Sequence, residues 1–142
     1  MITVESDAVI RRPVNEVFDF VSDQENEPKW HTDILDIRPA PGTSPGLGSR
    51  WVVTVKFMGR NEHQVEVTGL EENRLVEITT RTGPMKATAT YLFETLDGDT
   101  RFIRRVDLPV KGAMRLLKPL MQIMARKRNA GFVQNLKHLL ES

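Results

Sequence analysis

His31 follows directly on Trp30 and Asp33 stands two residues further on, and together they offer a base and an orienting acid, the pair that proton transfer requires. Residues so close along a chain rarely converge on one point, so this stretch reads as a turn and not as a catalytic dyad. His31, His63 and His138 show no metal-binding spacing, and no His-Glu-x-x-His motif is present. Gly46-Leu47-Gly48 lacks the third glycine and the following helix of a phosphate-binding loop. No serine sits in a Gly-x-Ser-x-Gly elbow. Arg126-Lys127-Arg128 is a basic run without interleaved aromatics, which argues against a nucleic-acid partner. Absence of cysteine excludes disulfides, thiolate metal sites and thiol nucleophiles. Neither a metal nor a cofactor is expected, and no catalytic residue is assigned.

The chemistry left is that of a cavity, and the elements that would build one can be read from the pattern. The 142 residues suit one domain, assigned here to 1–142 as a single ligand-binding unit. Acids at Glu5 and Asp7 in place of a basic leader, with no run of 18 apolar residues, point to a cytoplasmic protein. Ile2 to Ile10 alternates as a strand. Val14, Val17, Phe18 and Val21 then fall on one helical stripe, giving a helix from Pro13 to Ser22. Residues 23–31 suit a second short helix or turn that delivers Trp30 to the core. Strands are expected over Ile34–Arg38, Ser49–Met58, Glu62–Leu70, Leu75–Arg81, Lys86–Leu96 and Thr100–Leu108. The short turns between them make consecutive strands antiparallel neighbours. Beyond Lys111, apolar residues at Leu117, Leu120, Met121, Met124, Phe132, Leu136, Leu139 and Leu140 describe a helix of more than five turns. Pro119 must fall in its first turn or kink it. The expected class is α+β: a curved seven-stranded antiparallel sheet around a long C-terminal helix, with two short helices after the first strand.

Strand alternation assigns an inner face. It collects Trp51, Val53, Val55 and Phe57, then His63, Val65 and Val67, then Val76 and Ile78, then Met85, Ala87, Ala89, Tyr91 and Phe93, and finally Phe102, Val106 and Leu108. Ala87 and Ala89 are small where a compact core favours bulk, so they leave room that either a ligand or a helix side chain fills. Met121 and Met124 on the helix are adaptable apolar walls, or ordinary gap-fillers. Arg104 lies between Phe102 and Val106; a buried guanidinium pairs, reaches water in a cavity, or is turned outward by a bulge. His63 is either a structural histidine at the mouth or a base.

The formal charge of +1 hides an asymmetry. Residues 111–142 carry seven Lys/Arg against Glu141, a sum of +6 that leaves −5 for residues 1–110. A basic helix of this kind either closes over an acidic body or meets an anionic membrane or nucleic acid.

Several segments carry a family likeness: Ile10-Arg11-Arg12-Pro13-Val14-Asn15-Glu16-Val17-Phe18-Asp19-Phe20-Val21-Ser22-Asp23, Glu27-Pro28-Lys29-Trp30, the Pro45-Gly46-Leu47-Gly48-Ser49-Arg50 turn, and the hairpin from Phe93 to Thr100. With the closing Leu136-Lys137-His138-Leu139-Leu140-Glu141, the whole chain resembles the START-like polyketide cyclase/dehydrase superfamily. The resemblance implies the helix-grip fold and a cavity between sheet and helix. Such proteins include lipid and sterol carriers, hormone receptors and aromatase/cyclases, with no catalytic motif common to all. The expected function is to bind or carry a small hydrophobic molecule, such as a lipid, polyketide or aromatic metabolite. The alternatives are a cyclase/dehydrase-type enzyme using the same cavity, and a module that docks on a membrane or protein through the basic helix. Ligand contacts are expected from Trp30, Trp51, Phe57, His63, Met85, Ala87, Ala89, Tyr91, Phe102, Arg104, Met121 and Met124. Weak contact with an anionic membrane is a further expectation, and the sequence leaves the oligomeric state open.

Overall fold

The computed structural model describes residues 1–56, 59–83 and 86–142. Seven strands, β1 (Ile2–Ile10), β2 (Ile34–Pro39), β3 (Arg50–Lys56), β4 (Arg60–Glu71), β5 (Leu75–Thr80), β6 (Thr88–Leu96) and β7 (Asp99–Leu108), form one antiparallel sheet in the order β1-β7-β6-β5-β4-β3-β2. The chain crosses from one edge strand to the other through helix α1 (Val14–Ser22) and a 3-10 helix, Gln24–Lys29. A second 3-10 helix, Gly112–Leu117, leads into α2 (Lys118–Glu141). Every strand expected from the pattern is present with its bounds moved by a few residues. The tail of the expected Ser49–Met58 strand, and Phe57 and Met85 among the expected ligand contacts, lie outside the described residues.

Local chemistry accounts for the turns and the curvature. Asp97 and Gly98 both take positive φ, 48° and 86°, which is the two-residue hairpin geometry an Asp-Gly pair favours between β6 and β7. The register of β4 on β5 slips between Val67 and Gly69. A Cβ at Gly69 would stand 2.9 Å from that of Glu77, so only glycine fits the bulge that bends this part of the sheet.

One core lies where α1, the first 3-10 helix and the C-terminal half of α2 meet β6 and β7. There Phe18 packs edge-on to Phe93 at 5.3 Å, and Trp30 to Tyr91 and Phe102 at 5.4 and 5.9 Å. Phe132, Val133 and Leu136 of α2 close it. A smaller core, Ile2, Val4 and Val110 with Val106, Leu108, Met121 and Ala125, lies toward the other end of the helix.

Pro119 falls in the first turn of α2, where its missing N–H costs no hydrogen bond. The helix is as long as expected, 24 residues, but its apolar stripe is not all turned inward. Phe132 and Leu136 are buried, while Leu117, Leu120, Met124 and Leu139 are exposed. The inward face instead runs through Met121, Ala125, Asn129, Phe132, Val133 and Leu136. Below Met121 the helix has run past the sheet it grips, and every residue from 111 to 120 is exposed.

Candidate functional site

Between the two cores is a cavity of about 330 Å³. Its walls are aliphatic: Val53 and Val55 of β3, Val65 of β4, Ile78 of β5, Ala87 and Ala89 before and within β6, Val106 and Leu108 of β7. Met121, Met124 and Ala125 of α2 face them. The two alanines therefore do leave space beneath the helix. His63 also borders the cavity; a Cβ at Gly83, whose φ is +108°, would fall 2.0 Å from its Nδ1, so glycine there lets the chain close over the imidazole.

One end of this apolar space is polar. Gln24 and Glu27 from the first 3-10 helix, His31, Tyr91 of β6, Arg104 of β7 and Asn129 of α2 all border it. A 3-10 helix repeats every three residues, so Gln24 and Glu27 fall on the same face as Trp30 and are carried into the protein with it. Arg104 points inward because β7 keeps its alternation against both β1 and β6 with no bulge, which removes the outward-turned alternative. It is 6 % exposed. Its Nη1 donates to the Asn129 side-chain oxygen, and Asn129 Nδ2 donates back to the Arg104 carbonyl at 3.0 Å. The guanidinium carbon lies 5.5 to 5.9 Å from the ring centres of Phe132, Tyr91 and Trp30, an aromatic enclosure that stabilises a cation.

Glu27, 4 % exposed, accepts a hydrogen bond from the Tyr91 hydroxyl on Oε1, while its Oε2 has no partner. Burial pushes its pKa up to about 7, outweighing the Tyr91 hydrogen bond and the Arg104 charge. The Tyr91 phenol is held above its ordinary value by burial and then by Glu27, so it stays a donor. His31 stacks on Phe132 at 4.1 Å. Burial, and then the Arg104 charge, push its pKa well below the ordinary value, so it is neutral. Its Nδ1 and the Arg104 Nε are likewise without partners. The site thus holds a cation with no committed counter-ion, beside an acid near its midpoint at neutral pH. Asp33 does not serve His31; it forms an ion pair with Arg128 of α2 at the cavity border.

Of the expected contacts, His63, Ala87, Ala89, Tyr91, Arg104, Met121 and Met124 border the cavity. Trp30, Trp51 and Phe102 are buried in the core behind it. Trp51 is tied to Ser49 Oγ through its indole N–H at 3.0 Å, and Trp30 and Phe102 pack on each other. Gln24, Glu27, His31 and Asn129 were not foreseen as lining residues. Among the described residues no group of three or more His, Asp or Glu could hold a metal ion, and no helix is long and apolar enough to cross a membrane.

Residues 1–141 match the family model described as polyketide cyclase/dehydrase and lipid transport. Three solved structures show the same fold. A START superfamily protein from Mycobacterium smegmatis superposes with a TM-score of 0.80 at 18 % identity, covering 98 % of this chain and 97 % of that one. Zhui aromatase/cyclase from Streptomyces sp. R1128 gives 0.79 at 13 %, covering 98 % and 93 %. TTHA0849 from Thermus thermophilus gives 0.78 at 15 %, covering 97 % and 96 %. No curated protein sequence matches the chain.

Proposed function

Because the chain belongs to the polyketide cyclase/dehydrase and lipid transport family, we propose that it binds a small hydrophobic molecule bearing one anionic or enolisable oxygen group, head first, between sheet and α2. The observation that carries this reading is Arg104: a guanidinium buried at the end of an apolar cavity, held by a neutral amide, with Nε unpartnered. A buried cation without an anion costs several kcal/mol, and a ligand oxygen placed there offsets that cost. The aliphatic walls supply affinity at about 25 cal/mol per Å² of apolar surface removed from water.

Two naphthalene dyes test it, one carrying a sulfonate and the other its uncharged parent. The anionic dye is expected to bind stoichiometrically and more tightly. Arg104→Lys should erode that preference, while Ala89→Trp should weaken both dyes by filling the cavity. Equal affinity for the two dyes, unaltered by Arg104→Lys in a folded protein, removes the oxygen-head reading. Unchanged binding in a folded Ala89→Trp variant removes the cavity itself from the site.

A second reading is favoured by Glu27. A carboxyl group with a pKa near 7 next to a cation is matched to moving a proton from carbon at neutral pH while Arg104 takes the charge that develops on oxygen. The proton passes from the α-carbon to Glu27 Oε2, the carboxyl group exchanges it with solvent, and Glu27 returns a solvent-derived proton to the carbon. A hydrophobic β-diketone in heavy water should then gain deuterium in a protein-dependent way, and Glu27→Gln should abolish the gain. A carrier alone leaves the background exchange unchanged.

A further inference from the structure

Residues 111–120 bury nothing, yet they and the exposed side of the next turn are not polar. Leu116 is 86 % exposed and Ile123 64 %, with Leu117, Leu120 and Met124 each more than half exposed. Leu120 and Ile123 are three residues apart on α2 and share a face, and Leu116 stands on the 3-10 turn that leads into it, so the three form one run of exposed apolar side chains. An apolar stripe of this size left in water marks a surface that another body covers.

The charges around it identify that body. No Asp or Glu occurs between Leu108 and Leu140. Elsewhere Arg11, Arg38, Arg50, Arg74, Arg81, Arg101 and Arg105 each meet a carboxylate. Lys111, Arg115, Lys118, Arg126 and Lys127 meet none among the described residues. A second copy of the chain seated on this stripe about a two-fold axis would press these cations against their own equivalents with no acid between them. An anionic lipid surface instead accepts both features at once, taking the leucines into the acyl boundary and the lysines and arginines at the headgroups.

We infer that residues 111–127 dock on anionic phospholipid bilayers, with Leu116, Leu120 and Ile123 inserted and Lys111, Arg115, Lys118, Arg126 and Lys127 at the phosphates. The opposite side of the same turns, Met121 and Ala125, borders the cavity, and Met124 belongs both to the cavity border and to the exposed surface. The docked face therefore lies beside the cavity mouth. A ligand dissolved in the bilayer would reach Arg104 past Met124; that route alone rests on the function proposed above, whereas the docking does not.

The test uses the full chain and vesicles of phosphatidylcholine alone or with phosphatidylglycerol. Sedimentation with the anionic vesicles at low salt, released by added salt and absent with the neutral vesicles, is expected. Each basic side chain near the surface contributes about fivefold to partitioning, so Lys118→Gln, Arg126→Gln and Lys127→Gln together should weaken it about a hundredfold. Trp30 and Trp51 are buried, so a Leu116→Trp variant adds the one exposed indole, and its emission should shift to the blue on anionic vesicles. Equal recovery with both vesicle types, no spectral shift at Leu116→Trp, or a stable dimer that dissociates on Leu120→Glu without any vesicle binding would each overturn the docking. Capture of an acidic protein in place of vesicles would overturn it equally. Dye binding in the cavity, measured on the same variants, should be unchanged, so failure of the docking is separable from failure of the ligand reading.

Discussion

The two halves of α2 share one helix and one apolar-rich composition, yet they meet opposite surroundings. From Asn129 onward the helix is fastened: Phe132, Val133 and Leu136 are buried, and Lys137 and Glu141 form an i,i+4 pair. Glu141 also accepts the backbone N–H of Arg11 at 2.9 Å, tying the helix end to the end of β1. Before Met121 the same helix is apolar and basic with nothing against it. Composition alone cannot tell a gripping helix from a docking one. What separates them is whether acids and aromatics of the body face the helix. Asp33 with Arg128 marks the border between the two regimes, being, among the described residues, the last ion pair that α2 makes with the body on its way to its N-terminus.

Truncating the two halves should break or confirm this contrast most visibly. Leu136→Ala opens a cavity beneath a fully buried position and is expected to destabilise the protein by about 2–5 kcal/mol. Leu120→Ala trims a side chain that is more than half exposed and should stay within about 0.5 kcal/mol. Chemical denaturation of the two variants measures both. Similar losses would mean that the first turns are packed in solution and that the exposed stripe is not free.

The polar end of the cavity gives the next largest effect. Glu27 has its pKa raised from 4.5 to about 7 on folding, so between those values the folded protein binds more protons than the unfolded chain. Stability therefore falls as pH rises from about 4.5 to 7 and is level above that, with a cost on the order of 3 kcal/mol at about 1.36 kcal/mol per pKa unit. Glu27→Gln keeps an acceptor for Tyr91 and removes the titration, so its stability profile should be flatter over that window. A variant that keeps the wild-type slope would place the slope elsewhere. Anionic ligands should show the matching trend, binding more weakly as Glu27 ionises above pH 7.

How much of this was legible in the chain differs between the sheet and its contents. Strands were readable because period-two alternation and Asp-Gly and Pro-Gly turns are local signals, and because inward alternation carried straight to Arg104, Ala89 and Tyr91. The helix stripe was misread where it mattered: Leu117, Leu120 and Met124 satisfy the spacing, but spacing does not say how far the sheet reaches along the helix. Glu27 was missed for a related reason. The stretch from Asp23 to His31 is polar, and polarity normally means solvent; its period of three, which aligns Gln24 and Glu27 with Trp30, was the available signal. Asn129 was visible in the same way, as an amide between Ala125 and Phe132 on a stripe otherwise apolar.

The smallest expected effect lies at the fastened end. Glu141 has its pKa lowered to about 2, first by the Lys137 hydrogen bond and then by the Arg11 backbone N–H. A carboxyl group whose pKa is depressed by folding contributes stability that is present above its unfolded value of 4.5 and is lost as pH falls toward 2. Glu141→Gln should therefore lower the melting temperature slightly at pH 7, and the gap between variant and wild type should narrow below about pH 4. The partners are largely at the surface, where solvent and salt screen such contacts, so the change should be smaller than for Glu27→Gln. The same substitution should leave vesicle binding untouched, because the clamp is near the opposite end of α2 from the docking turns. Loss of vesicle binding in the Glu141→Gln variant would show instead that the two halves of the helix are held as one unit, with the grip at the C-terminal end setting how the first turns are presented.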